Sequence, residues 1–95
     1  MVKVIWTELA LEDLKQVHEY IARDSKKYAK RQIAKIINKS EQLQNQPLSG
    51  RIVPEFSDKS IRELFEGNYR IVYSISEEVV FIARIHHSSR LLTEI

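Results

Sequence analysis

The sequence predicts an α+β domain: an N-terminal strand, then an antiparallel helical hairpin packed on an antiparallel sheet, in the order β-α-α-β-β-β. Three observations carry this. A short β-branched and aromatic run opens the chain, two apolar stripes of helical period follow almost without interval, and the last forty residues hold three segments of strand-like composition.

Residues Val2, Val4, Ile5 and Trp6 favour a pleated, packed surface, so residues 2–6 are expected to form a strand buried on both faces. Thr7 can cap a helix whose first turn carries Glu8, and Ala10, Leu14, Val17 and Ile21 recur on one helical face, which predicts a helix to about Arg23. Asp24 and Ser25 are both cap residues. Beyond them Ala29, Ile33, Ile36, Ile37 and Leu43 form a second stripe that fades at Gln44. A connection of two or three residues forces the helices antiparallel, with both stripes in one core. Residues 44–60 hold both prolines and Gly50, and read as one long loop. Strands are then expected over about Ile61–Phe65, Tyr69–Ile75 and Val79–His86, with Gly67-Asn68 turning between the first two.

Ninety-five residues suit a single domain, 1–95. An apolar content of 43% beside 29% charged residues is that of a folded globule rather than a disordered chain. No cysteine is present, so there is no disulfide framework, thiolate nucleophile or sulfur-ligated metal. No run approaches the ~18 apolar residues of a membrane span, and the N-terminus lacks an uninterrupted apolar signal core, which together suit a cytoplasmic protein. The net charge of +2 conceals an uneven distribution. Lys26, Lys27, Lys30, Arg31, Lys35 and Lys39 fall within fourteen residues that contain no acid. Such a cation calls for an acidic partner or nucleic acid, unless it is simply a solvated face.

The last two strands admit a register argument. A three-residue loop at Ser76-Glu77-Glu78 would pair Ile75 with Val79, Tyr73 with Phe81, Ile71 with Ala83 and Tyr69 with Ile85, making one apolar face to cover the helices. Arg70 would then stand opposite Arg84 on the other face, with His86 two residues along. Like charges directly opposed destabilise a sheet unless an anion lies between them. That anion is either a local acid such as Glu55 or Glu63, or a phosphate or acidic partner held by the arginine forks. With its side chain outside the core, Arg70→Ala is expected to spare the fold.

His86 on this face could act as acid or base near neutral pH, or could be an ordinary hydrogen-bonded histidine. His87 points to the opposite face, so the pair cannot chelate one metal, and His18 lies beside the helical stripe as a boundary residue. Glu55 after Pro54 could reach the arginines as a base or, more simply, as their counter-ion. No Gly-rich phosphate loop, HExxH or Ser/His/Asp signature is present, so neither a metal nor a nucleotide cofactor is expected.

Residues Ala10–Leu14, Tyr20-Ile21-Ala22, Gly50-Arg51-Ile52-Val53-Pro54-Glu55, Arg62-Glu63-Leu64, Gly67-Asn68-Tyr69-Arg70-Ile71-Val72-Tyr73 and His86-His87-Ser88-Ser89-Arg90 form an ordered set over nearly the whole chain. Together they resemble the RelE/ParE superfamily of type II toxin-antitoxin toxins, of plasmid stabilisation type. The resemblance implies a growth-arresting toxin neutralised by a cognate antitoxin, whose acidic or amphipathic C-terminal segment wraps over it. Operator DNA would be met only through that antitoxin. Two branches follow from the resemblance. ParE-type members poison DNA gyrase without being nucleases, and RelE-type members cut mRNA on the ribosome. For cleavage the chain would use Glu55 and His86 as base and acid, with Arg70 and Arg84 on the phosphate. Partner contacts would fall to Lys27, Arg31, Lys35, Lys39, Arg51, Arg62 and Arg90. Glu55, Tyr69-Arg70 and the late histidine occur in both branches. His87 and Ser88 stand where ribonuclease members often carry a tyrosine, and the GRxVPE-like and HHSSR segments lean slightly towards the gyrase branch. A non-toxic degenerate module kept for autoregulation is the third alternative.

Overall fold

The computed structural model describes residues 1–93. Its elements run β1 (Lys3–Trp6), α1 (Glu8–Ala22), α2 (Lys26–Glu41) with a 3₁₀ turn (Gln42–Gln44), β2 (Arg51–Ile52), β3 (Ile61–Glu66), β4 (Tyr69–Ser76) and β5 (Val79–His87). Both expected caps form. Thr7 Oγ1 accepts from Ala10 N–H at 3.1 Å and Ser25 Oγ from Tyr28 N–H at 3.0 Å, each satisfying a donor the first helical turn leaves unpaired.

Three features differ from the sequence expectation. The sheet is mixed rather than antiparallel, with strand order β1-β5-β4-β3-β2, because the helical hairpin lets β1 lie parallel beside β5. As an edge strand β1 is only half-buried, with Lys3 exposed, and not enclosed on both faces. The long loop contains a further strand, β2, whose two residues pair with Glu63 and Arg62 of β3.

The helices cover one face of the sheet. Ala10, Val17, Ile36, Leu43, Ile71, Tyr73, Val80, Ile82 and Ile85 are buried there, with Leu14, Ile21 and Ile33 packed against them. Ile37 is the exception in the second stripe, 36% exposed, and Gln32 and Ser40 take the inward positions instead. These complete the spacing 29, 32, 33, 36, 40 better than residue 37 does. A smaller cluster of Val53, Val72 and Leu92, with Phe56 and Ile61, lies on the opposite face, under the β2–β3 loop and the chain after β5. Among the described residues no helix is long and apolar enough to cross a membrane.

The β4–β5 register is corrected by one residue at the turn and by a second at a bulge. Ser76 pairs with Val79 across a two-residue turn in which Glu77 takes a left-handed φ of 54°. Ile75 therefore faces Val80 and Tyr73 faces Ile82, so Val80 and Ile82 point to the helices where Phe81 and Ala83 were expected. Between Ile82 and Arg84 the ladder then shifts, pairing Val72 with Arg84, Ile71 with Ile85, Arg70 with His86 and Tyr69 with His87. An extra residue in one strand leaves backbone groups outside the ladder. The extra residue is Ala83, whose carbonyl oxygen accepts from the Thr7 hydroxyl at 3.2 Å, the same hydroxyl lying 2.8 Å from Ile82 O. Past the end of β1, Asp13 Oδ2 accepts from Ile85 N–H at 3.0 Å.

Candidate functional site

Arg70 does not face Arg84. Because the two-residue turn and the bulge each displace β5 by one residue, Arg70 stands opposite His86, and the Arg84 guanidinium reaches α1, where Nε and Nη2 donate to the two Asp13 oxygens at 2.8 and 3.1 Å. The anion expected between two opposed arginines is thus divided into separate local acids, one set for each arginine.

Arg70 lies at the centre of the far face and its side chain is only 5% exposed. Its Nε donates to Glu63 Oε1, while Nη1 and Nη2 donate to Glu55 Oε2 and Oε1 at 2.7 and 2.8 Å, and Nη1 also approaches Arg90 O at 3.5 Å. Glu63 is fully buried, and its second oxygen accepts from Arg51 Nε at 2.6 Å. Arg51 itself stacks over the Phe65 ring at 4.9 Å. The Arg70–Glu55 pair is the two-toothed fork that planar guanidinium and carboxylate groups favour. Glu55 also accepts the Leu92 N–H at 3.0 Å, which holds the chain after β5 across the cluster.

Electrostatics follow this geometry. The Arg70 hydrogen bonds, helped by the Leu92 N–H, lower the Glu55 pKa to about 2, and Glu55 in turn raises Arg70 above its ordinary value. A carboxylate this strongly held is a weak proton acceptor at neutral pH. Because the Glu55 pKa is depressed, its stabilisation is complete above the ordinary carboxylate pKa and is lost as pH falls from about 4.5 to about 2. In urea titrations Glu55→Gln is expected to be less stable than the parent near neutrality by ~1–3 kcal/mol, and the gap should close in acid. A gap constant across that range would refute the assignment.

Burial corrects one further expectation. Arg70→Ala will not spare the fold, since it strips the buried Glu63 of one of its two arginines. His86 does share the Arg70 face as expected, but its Nε2 lies 3.2 Å from Leu91 O rather than on a carboxylate. His87 lies on the helix side, its ring meeting Tyr69 edge-on at 5.4 Å with Ser89 Oγ 2.7 Å from Nδ1.

The remaining candidates are scattered. Lys27, Arg31 and Lys35 are exposed on α2, Lys39 is half-buried, and none of the four forms an ion pair among the described residues. Arg62 is turned back onto Lys59 O and Gly50 O at 3.1 Å each, and Arg90 is exposed. Sequence reasoning missed Asp13, although the signal was present. Residues 10, 13, 14 and 17 complete one helical face, so an acid at position 13 is directed inward and needs a cation.

A family model described as the ParE toxin of type II toxin-antitoxin systems, parDE, matches residues 4–92. The chain belongs to this toxin family. A curated relative, Toxin RelE2 of Caulobacter vibrioides, is 33% identical over 92 residues, covering 96% of this chain and all of the relative. The fold agrees with solved structures of low sequence identity. A chromosomal ParDE system from P. aeruginosa superposes with a TM-score of 0.76 at 20% identity, over 92% of this chain and 96% of that one. The RelBE2 toxin-antitoxin complex of Mycobacterium tuberculosis gives 0.65 at 22% identity, over 90% and 96%. The YoeB-YefM complex of Staphylococcus aureus gives 0.57 at 15%, over 92% and 97%. The protein is a RelE/ParE-superfamily toxin of a type II toxin-antitoxin system. The toxin's helical hairpin, sheet and bulge-set registers are those described above.

Proposed function

We propose that this toxin arrests growth in the cytoplasm as a non-hydrolytic poison of DNA gyrase, and that a cognate antitoxin neutralises it. The observation that supports this reading is the closure of the Arg70 cluster. Its Nε and both terminal nitrogens already donate to carboxylates of the chain itself, so Arg70 offers no vacant fork to a scissile phosphate. Glu55, the proposed base for cleavage, is engaged in the same network. The family model matched along residues 4–92 favours the same branch.

Ribonuclease action is the second reading, favoured by Toxin RelE2 as a relative and by the placement of His86 directly opposite Arg70. It requires Arg70 to exchange Glu55 for RNA, which would also release the Leu92 N–H. An antitoxin segment rich in acids suits Lys27, Arg31, Lys35 and Lys39, which form no ion pair among the described residues, and the exposed Arg90. Arg51 and Arg62 serve it less, because each is occupied within the chain.

Expression without antitoxin should stop growth with filamentation and a DNA-damage response, and the purified toxin should inhibit gyrase supercoiling while leaving mRNA intact. Translation arrest with cut transcripts and unimpaired gyrase would overturn the gyrase reading in favour of cleavage. Undisturbed growth would indicate the autoregulatory module instead.

A further inference from the structure

On the side of the molecule away from the sheet, the helical hairpin carries two ridges of opposite sign. With Ala10 and Val17 buried in α1 and Ala29 and Ile36 buried in α2, the helical period turns Glu8, Glu12 and Glu19 outward on one helix. It turns Lys27, Arg31 and Lys35 outward on the other. All six are exposed, and none of them forms an ion pair among the described residues. Like charges repel along each ridge, so both ridges gain from a surface of the opposite sign.

The short connection between α1 and α2 fixes how the ridges are aligned. Residues equally far from Asp24 stand at the same level of an antiparallel hairpin. Glu19 is therefore level with Ala29, between Lys27 and Arg31, and Glu12 is level with Ile36, beside Lys35. Lys15, which interrupts the acidic ridge, stands close to the level of the uncharged Ala34. Side chains that both point outward from helices ~8–10 Å apart do not meet, and these acids and cations are left facing away from the chain. Leu11 and Ile37, 52% and 36% exposed, are also level and add apolar surface beside the ridges.

We infer that the outer face of the hairpin binds a second copy of this chain, α1 of each copy lying over α2 of the other about a two-fold axis parallel to the helices. A row of acids beside a row of cations is self-complementary under that rotation, which carries each ridge onto the opposite one and preserves its level. Glu19 then meets Lys27 and Arg31 across the contact, Glu12 meets Lys35, and Lys15 meets the neutral Ala34. A two-fold axis across the helices would instead stack acids on acids and cations on cations, so charge selects the axis. An acidic peptide would use the α2 ridge but leave the α1 ridge without a function. Helices of 15 and 16 residues offer a face ~23 Å long, which is small for a specific interface, and Glu8 falls near Glu41 at its end. The dimer is accordingly weak and salt-sensitive. It does not depend on the toxin's cellular target, and an antitoxin whose acids took the same cations would displace it.

The test is sedimentation velocity of the purified toxin over a range of concentrations at low and high salt. The parent should show a monomer–dimer equilibrium at low salt that dissociates as salt is added. Reversing the acidic ridge with Glu12→Lys and Glu19→Lys, or the basic ridge with Lys27→Glu, Arg31→Glu and Lys35→Glu, should weaken self-association about tenfold or more. An equimolar mixture of the two reversed proteins should form a mixed dimer, since one then carries cations on both helices and the other acids on both. The chain with all five substitutions should self-associate as the parent does. All five side chains are exposed, so an unchanged thermal midpoint separates lost association from lost folding. The inference is overturned if the parent stays monomeric at low salt, if either reversed protein dimerises as strongly as the parent, or if mixing the two restores nothing. A monomeric parent whose α2 amide resonances shift with oligoglutamate would overturn it in favour of an acidic peptide.

Discussion

Replacing Glu63 with alanine is expected to destabilise the toxin by ~3 kcal/mol, the cost of breaking a buried ion pair and leaving the Arg70 Nε without its carboxylate. Glu63 is fully enclosed and bridges Arg51 and Arg70, so its removal frees two guanidiniums at once, only one of which can turn to water. Arg51 is exposed and can reorient. Arg70 cannot, being held by Glu55 under the chain that follows β5. Glu63→Gln keeps the shape and an acceptor but removes the charge, and should fall between the parent and Glu63→Ala. Urea denaturation of the three proteins measures this directly. A loss below ~1 kcal/mol for Glu63→Ala, the value of an exposed ion pair, would mean that the cluster is solvated and not a closed network.

Gly50→Ala should be nearly as damaging, although the substitution adds only a methyl group. A Cβ at position 50 would lie 2.5 Å from the Glu63 carbonyl oxygen and 2.6 Å from the Tyr73 hydroxyl. Neither can yield easily. Glu63 O belongs to the sheet backbone, and Tyr73 is fully buried, accepting from Gly50 N–H at 2.9 Å and donating to Pro47 O at 2.8 Å. The added carbon must therefore push the 47–51 segment off the sheet, breaking the two hydrogen bonds that anchor it. Overpacking of this kind costs ~1–3 kcal/mol and occasionally more, and the upper end is expected here. The same displacement would shift Arg51 and loosen the Glu63 pair, so Gly50→Ala and Glu63→Ala should combine less than additively. Full additivity in the double variant would show that the two are independent.

The toxin's helices were legible because their determinants are local. Thr7 and Ser25 are caps by their own side chains, and the stripes at 10, 14, 17, 21 and at 29, 33, 36 need only the helical period. Residues off the hydrophobic pattern were harder to read. Asp13 and Gln32 hold inward positions that an apolar search passes over, and Asp13 proves to matter through a partner far away in the chain.

By itself the sequence determined two helices in a hairpin, the strands after Ser60, the face of β4 that meets the helices, and a cluster of arginines requiring acids. Only the tertiary structure decided which acids and in what register. A bulge is an interruption of alternation, and nothing in the run Val79–His87 marks where the extra residue lies, because Phe81, Ala83 and their neighbours are acceptable on either face. The bulge lies against the α1 cap, where the Thr7 hydroxyl takes up Ala83 O, and Asp13 takes up Ile85 N–H beyond the end of β1. The turn and the bulge together put Arg84 opposite Val72 instead of Arg70, so that Arg84 meets Asp13 while Arg70 meets Glu55 and Glu63, and two expected facing cations become two separately neutralised ones.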